Sequence, residues 1–516
     1  MARQFRALQI GGLDLEFLFA QKSDVVWDYF DVQLLDFDSG YMAQITTVIE
    51  EEGDFDLVFV QTPLTERVIE LLEVLSTPYN TIIDEAYWVD GAPQETFLTT
   101  KYARLIQYED EKALHDKLLA ITFPGQYGDK VSPADVHIHC DHTIEVTHRG
   151  NKATWLKGDF GDAFKPIISW KKGLIYDENK VIEVWPEFQT IGAVELEYVF
   201  RLVSLNPEEG ILKTIVMTEA DLQQPLYLKR QPNMAYIAIS VRARYEGQVR
   251  IGAVHKRLSR MEFGQLLLGG SRFVDENREE FFYYFHPGDF RPPLNVYFSG
   301  YREAEGFEAY FLMHQLGAPF LLISDPRIQG GSFYLGSPTY EKGIQTVIQN
   351  TLAQLGFDDQ ACIFSGLSMG SFAALYYGAK LKPKGINVGK PLINIGTVAD
   401  NMKLLRPNDF ETSLDITLSH QVGTTYQAND IQQLNQRFWE VFKNSDMRET
   451  SIAVTFMTHD DYDRTAFDDL LSVLSHQNVY MLNKAIPGRH NDDTGTVVTW
   501  FMNFYKILLK EQFGRG

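Results

Sequence analysis

The spacing of hydrophobic and polar positions changes along the chain, and the change divides it into three regions. Residues 1–128 mix short apolar runs with helical spacing. Leu57-Val58-Phe59-Val60 reads as a buried strand. Thr62-Pro63 opens a helix with Val68, Leu71, Leu72 and Leu75 on one face, and Thr81-Ile82-Ile83 reads as the next strand. This is a βαβ-like pattern, but no Gly-rich phosphate loop follows a strand, so no chemistry is assigned to it. The acids Glu50, Glu51, Glu52, Asp54 and Asp56 read as a solvated loop.

From 130 to 265 the period is two. Val136, Ile138, Cys140, Ile144 and Val146 alternate with polar residues, as do Ile237, Ile239, Val241 and Ala243. With turn signals at Asn206-Pro207 and Glu246-Gly247, this predicts a β-sandwich, a possible glycan- or partner-binding region. From 275 to 516 strand and helix alternate. Strands are expected at 294–298, 320–323, 361–364, 392–395, 452–456 and 479–482, and helices at 341–355, 371–381 and about 495–509. Such alternation implies a parallel sheet with helices on both faces.

Composition narrows the picture. With 516 residues, about three domains are expected. A hydrophobic content of 45% is enough for several cores. The net charge of −22 argues against a nucleic-acid partner, which needs clustered Lys and Arg. The two cysteines, Cys140 and Cys362, lie in runs that read as buried, so a reducing compartment fits. Asp14 and Glu16 interrupt the apolar run after the first arginines, and no apolar stretch is long enough to span a membrane. A cytoplasmic protein without an integral membrane segment is expected.

The candidate chemistry starts at Gly366-Leu367-Ser368-Met369-Gly370, between an expected strand and an expected helix. In that setting Gly-x-Ser-x-Gly forms a nucleophile elbow, a sharp turn whose neighbours must lack bulk. The expected fold class is therefore α/β, with an α/β-hydrolase-like C-terminal domain behind the sandwich and the N-terminal α/β region. Serine needs a base, and in this arrangement an acid and then a histidine follow on later loops. His490, in Ile486-Pro487-Gly488-Arg489-His490-Asn491, is the expected base. Asp460 is the first choice of acid. Asp461 and Asp463 are alternatives on the same loop, and Asp400 is a runner-up on an earlier one. His459 could compete as base. An oxyanion needs two amide donors. Met369 would supply one, and Gly300 or Tyr301, in Phe298-Ser299-Gly300-Tyr301-Arg302, the other. Gly330-Gly331-Ser332 is a weaker source.

Other signals read as structural. His137, His139, Cys140 and His142 fall on different faces of an alternating strand and do not suggest a metal. Trp155, Trp170 and Trp185 could stack on sugars but read first as core. Arg242, Arg244, Arg250, Lys256, Arg257 and Arg260 read first as a solvated strand face, and second as a docking surface for an acidic partner.

The run Ile363-Phe364-Ser365-Gly366-Leu367-Ser368-Met369-Gly370-Ser371-Phe372, with Ala374-Leu375-Tyr376-Tyr377-Gly378 behind it, resembles the Asp-two family of accessory Sec system proteins. Ile486-Pro487-Gly488-Arg489-His490-Asn491-Asp492, Arg250-Ile251-Gly252 and the overall length are similar too. The resemblance implies an α/β-hydrolase-like enzyme that O-acetylates N-acetylglucosamine on serine-rich repeat adhesins before export. It implies partners: two sister accessory proteins, an accessory SecA-type motor and the glycosylated adhesin, with a location at or near the membrane export site. Ser368 and His490 sit on the family's nucleophile and base positions. Residues 460–463 contain no glutamate, so an acid supplied from this loop is an aspartate. No tightly bound cofactor is implied, and the acetyl donor is left open.

Overall fold

A computed structural model describes residues 3–37, 40–89, 91–328, 331–405, 415 and 428–515. Chain contacts group the protein into two compact units. The first comprises Met1–Gln126, Asn179–Val181 and Leu258–Gly270. Its centre is a five-stranded parallel sheet in the order Val25–Phe30, Phe5–Ile10, Leu57–Val60, Thr81–Asp84, Arg104–Ile106. Alternate residues of Leu57–Val60 feed two cores. Val58 and Val60 pack with Val68, Leu71, Leu72 and Leu75, and Leu57 and Phe59 with Leu114 and Leu118. The helix opens later than Thr62-Pro63: it spans Glu66–Leu75, and the Thr65 side chain caps it by accepting from the Val68 N–H. Glu50, Glu51 and Glu52 form the exposed last turn of the helix Tyr41–Glu52 rather than a loop. Arg260 belongs to this unit. It is buried, and its guanidinium donates to the carbonyls of Ile121, Phe123 and Gly125.

The second unit comprises Tyr127–Glu178, Ile182–Arg257 and Ser271–Gly516. It opens with two six-stranded sheets. Ala235–Arg244 keeps its period of two, with Ala235, Ile237, Ile239, Val241 and Ala243 buried. Phe188 of one sheet meets Tyr198 of the other, ring centroids 5.5 Å apart. The earlier alternation is not one strand. It breaks into Val136–Ile138 and Glu145–Arg149, because the Asp141 carboxylate accepts from the Thr143 N–H and turns the chain. Val146 is consequently exposed, and Cys140 lies half-buried outside any strand, whereas Cys362 is buried.

The basic stretch also departs from expectation. Arg242 and Arg244 do lie on an open strand face, paired with Glu197 and Glu195. Arg250, Lys256 and Arg257 are buried, because the strand Glu246–Leu258 is covered on both faces over most of its length. It is neither a solvated face nor an open docking surface.

The unit's third sheet has eight strands, in the order Ser271–Val274, Glu280–His286, Phe320–Ser324, Leu294–Phe298, Cys362–Leu367, Gly385–Gly389, Ser451–Met457, Met481–Ile486. In chain order this is first, second, fourth, third, fifth, sixth, seventh, eighth. The first two pairings are antiparallel and the rest parallel. This is the α/β-hydrolase arrangement, so the expected fold class holds. The helices flank both faces. Tyr505 of the helix Thr494–Phe513 donates its hydroxyl to Ser365 Oγ (2.7 Å), while Gly378 of the helix Met369–Leu381 lies against Ile386 and Phe364. Ser365 and Phe364 are adjacent in one strand and so face opposite ways.

Two strands differ from the sequence reading. The sixth is Gly385–Gly389, not 392–395, and the last is Met481–Ile486, not 479–482. Gly389 disguises the sixth strand, yet packing requires it: a Cβ there would meet Leu367 Cδ2 at 2.4 Å. The apolar run at 392–394 is instead a loop, whose Ile393 and Asn394 N–H groups donate to Asp463.

Candidate active site

The strand Cys362–Leu367 runs directly into the helix Met369–Leu381, and Ser368 is the single residue between them. Its φ of 54° and ψ of −120° are a strained conformation for a residue with a Cβ. The glycines around it have no room for a side chain. A Cβ on Gly366 would lie 2.4 Å from the Gly370 backbone, and one on Gly370 would lie 2.0 Å from the Phe298 carbonyl oxygen. The turn therefore aims the Ser368 side chain off the sheet's C-terminal edge.

His490 reaches that edge from the loop between the last strand and the last helix. Ser368 Oγ lies 2.9 Å from His490 Nε2, and His490 Nδ1 lies 2.7 Å from Asp460 Oδ2. His490 and Asp460 are both buried. The other oxygen of Asp460 accepts from the Tyr462 N–H (2.8 Å) and the Asp463 N–H (3.3 Å), which fixes the carboxylate. Such a chain lets histidine accept the serine proton while the acid holds the ring's orientation. Beneath these loops, Met457, Ile486 and Val497 pack with Leu367 and Trp500.

The remaining acids have other partners. Asp461 accepts from the His490 backbone N–H at 3.1 Å, and so holds the loop rather than the ring. Asp463 holds the 393–394 amides, and burial pushes its carboxyl above the usual range. Asp400 lies in the helix Ile395–Leu405. His459 is exposed; its ring meets Thr458 Oγ1 at 3.0 Å and its N–H donates to the Gly488 carbonyl.

Of the amides considered for an oxyanion, that of Met369 sits at the first position of its helix, where no intrahelical acceptor exists. The Gly300 N–H is committed elsewhere: it donates to Glu308 Oε2 at 2.7 Å. Gly330 lies outside the described residues. Gly331 packs against Met369, and the Ser332 N–H donates to Asp325.

Three residues near the site carried no sequence signal. Tyr462 stacks on His490, and its hydroxyl accepts from Asn491 Nδ2 at 3.2 Å. Glu308 holds the Gly300 amide. Lys390, at the end of the strand Gly385–Gly389, is buried and donates to Thr494 Oγ1 at 3.2 Å. Burial pushes its ammonium pKa down, against the pull of Asp460 and Glu308.

The weaker candidates do not join this site. His137, His139 and His142 are exposed, His139 bonds Ser169 Oγ, and among the described residues no group of three or more metal-ligating side chains converges. Trp170 and Trp185 are buried and donate to the Ser132 and Arg278 carbonyls, and Trp155 is half-buried. No described helix is long and apolar enough to cross a membrane.

Comparison with known proteins covers the whole chain. The family profile described as "Accessory Sec system GspB-transporter" matches residues 5–515. The accessory Sec system protein Asp-two of Staphylococcus aureus is 51% identical over 515 residues, spanning 100% of this chain and 98% of the relative. Its namesake from Streptococcus gordonii is 36% identical over 521 residues, spanning 100% of both. A chain of the Glycosylation Associate Protein (Gap123) complex from Streptococcus agalactiae superposes with a TM-score of 0.87 at 32% identity, covering 99% of each chain.

Proposed function

The chain belongs to the Asp-two family of accessory Sec system proteins, and on that premise we propose that it is a serine-dependent O-acetyltransferase acting on glycan of an exported adhesin. The observation that carries this reading is the chain Ser368 Oγ, His490 Nε2, His490 Nδ1, Asp460 Oδ2, with contacts of 2.9 Å and 2.7 Å. The acetyl group and its acceptor, N-acetylglucosamine on a serine-rich repeat, are taken from the family resemblance.

In this reading His490 Nε2 removes the proton from Ser368 Oγ as that oxygen attacks the donor's acetyl carbonyl. The Met369 amide and an amide of the loop after Leu294–Phe298 hold the oxyanion. The donor's leaving group departs with the proton from His490, which leaves acetyl-Ser368. His490 then deprotonates a sugar hydroxyl, which attacks the acetyl ester and regenerates the serine. Asp460 stabilises the imidazolium formed in each half. Residues 275–516 carry this chemistry, with 130–265 as the glycan- or partner-binding region and 1–128 as a separate N-terminal region.

The enzyme would act beside sister accessory Sec proteins, as the Gap123 complex of the S. agalactiae relative suggests, and would meet the adhesin before the accessory SecA-type motor. The test is the fate of the acetyl group. With a glycosylated serine-rich peptide present, acetyl-sugar should form in a Ser368-dependent way. Release of all acetate to water would leave an esterase with the same triad.

A further inference from the structure

We propose that the β-sandwich holds the oxyanion turn in place through Glu305, a positioning residue for the acyl transfer; this rests on the serine chemistry proposed above. The turn at Ser299, Gly300 and Tyr301 follows the strand Leu294–Phe298, and the next helix begins only at Tyr310. An irregular segment of that length presents an amide reproducibly only when it is fastened.

Two carboxylates fasten it. Glu308 works from within: it accepts the Gly300 N–H, and its own N–H donates to Ser299 Oγ at 3.4 Å. Glu305 works from outside. Its Oε2 accepts from Arg257 Nε at 2.5 Å, its Oε1 lies 2.6 Å from His255 Nδ1, and its N–H donates to the Gly128 carbonyl at 2.8 Å. Arg257 and His255 lie on the strand Glu246–Leu258, and Gly128 on Gly128–Val131, both strands of one sandwich sheet.

All three side chains are buried: Glu305 is 4% exposed and Arg257 and His255 1% each. A buried ion pair with its hydrogen bonds made is costly to break, so the contact behaves as a stiff strut. Arg257 also donates to Glu280 Oε2 at 2.6 Å, and His255 Nε2 lies 3.1 Å from Glu187 Oε1, so the strut is braced at its base. An oxyanion donor must sit within about 2.7–3.1 Å of the developing charge, and a misplacement of about 1 Å costs on the order of 100-fold. The sandwich is therefore part of the catalytic apparatus as well as a candidate binding module.

The test uses the full chain carrying Glu305→Gln, with His255→Gln as a milder second variant should the first fail to fold. Hydrogen–deuterium exchange is followed on peptides covering 299–308 and, as reference, 366–371, and turnover of an aryl acetate is measured alongside. Exchange at 299–308 should accelerate while the elbow reference stays as in wild type. The kcat should fall by about 10-fold or more with KM within about twofold, the pattern of lost transition-state stabilisation. Unchanged exchange at 299–308, or an unchanged kcat, overturns the proposal. Should wild type show no Ser368-dependent turnover, the proposed function fails, while the exchange data still decide whether Glu305 fastens the turn.

Discussion

Tyr462 lies face to face with His490: their ring planes are 3° from parallel and their centroids 4.3 Å apart. The contact buttresses the imidazole on one face while Asp460 and Ser368 engage its two nitrogens. An aromatic pair of this kind contributes about 0.5–1.5 kcal/mol beyond its area. Tyr462→Leu should therefore lower kcat by roughly 2- to 10-fold. Tyr462→Phe should stay close to wild type, because the ring does the stacking. Steady-state kinetics on an aryl acetate checks both.

The neighbouring aspartates make a sharper comparison. Asp460 meets the His490 ring and Asp461 only its backbone. Asp460→Asn should cost on the order of 10⁴ in kcat, as expected when the amide favours the wrong tautomer. Asp461→Asn should cost about 10-fold or less, because it weakens one loop hydrogen bond. Comparable losses in both would contradict the assignment.

How far the site was legible in the sequence follows from how local each feature is. The elbow is contained in five residues, and both glycines prove to have no room for a Cβ. The order of serine, acid and histidine was readable because parallel βα units return successive loops to one edge of the sheet. The choice among Asp460, Asp461 and Asp463 was not, since adjacent side chains on one loop point to different partners. The sixth strand was missed because its last residue, Gly389, is required by packing against Leu367 and leaves no apolar signature. The burial of Arg257 was missed for a related reason. Its carboxylate partners Glu183, Glu280 and Glu305 lie far off in sequence, so by spacing alone the charge reads as a solvated face.

Gly370 offers a test of the elbow's packing. A methyl there would sit 2.0 Å from the Phe298 carbonyl oxygen, so strand and helix must move apart. Gly370→Ala should destabilise the protein by roughly 1–3 kcal/mol and abolish turnover, because the Ser368 to His490 contact cannot survive the shift. Thermal melting and kinetics on the same preparation check it.

His255 predicts a pH dependence. Burial alone would push its pKa down, but Glu305 and Glu187 outweigh that, and the net shift is upward. A group whose pKa is raised on folding adds stability that is fully present below its unfolded pKa, about 6.5, and lost as pH rises through the folded value. Wild type should therefore lose melting temperature as pH climbs above about 6.5, and His255→Gln should lose less over the same interval. Parallel curves for the two would contradict a charged His255.

The most direct measurement is the mass of the peptide carrying Ser368 after brief exposure to an acetyl donor. The account predicts an acetyl group on Ser368 that disappears when a glycosylated serine-rich acceptor is added, with acetyl-sugar appearing in its place. It also predicts that His490→Ala prevents the acetyl group from forming. Acetylated sugar produced at the wild-type rate by Ser368→Ala protein would contradict it.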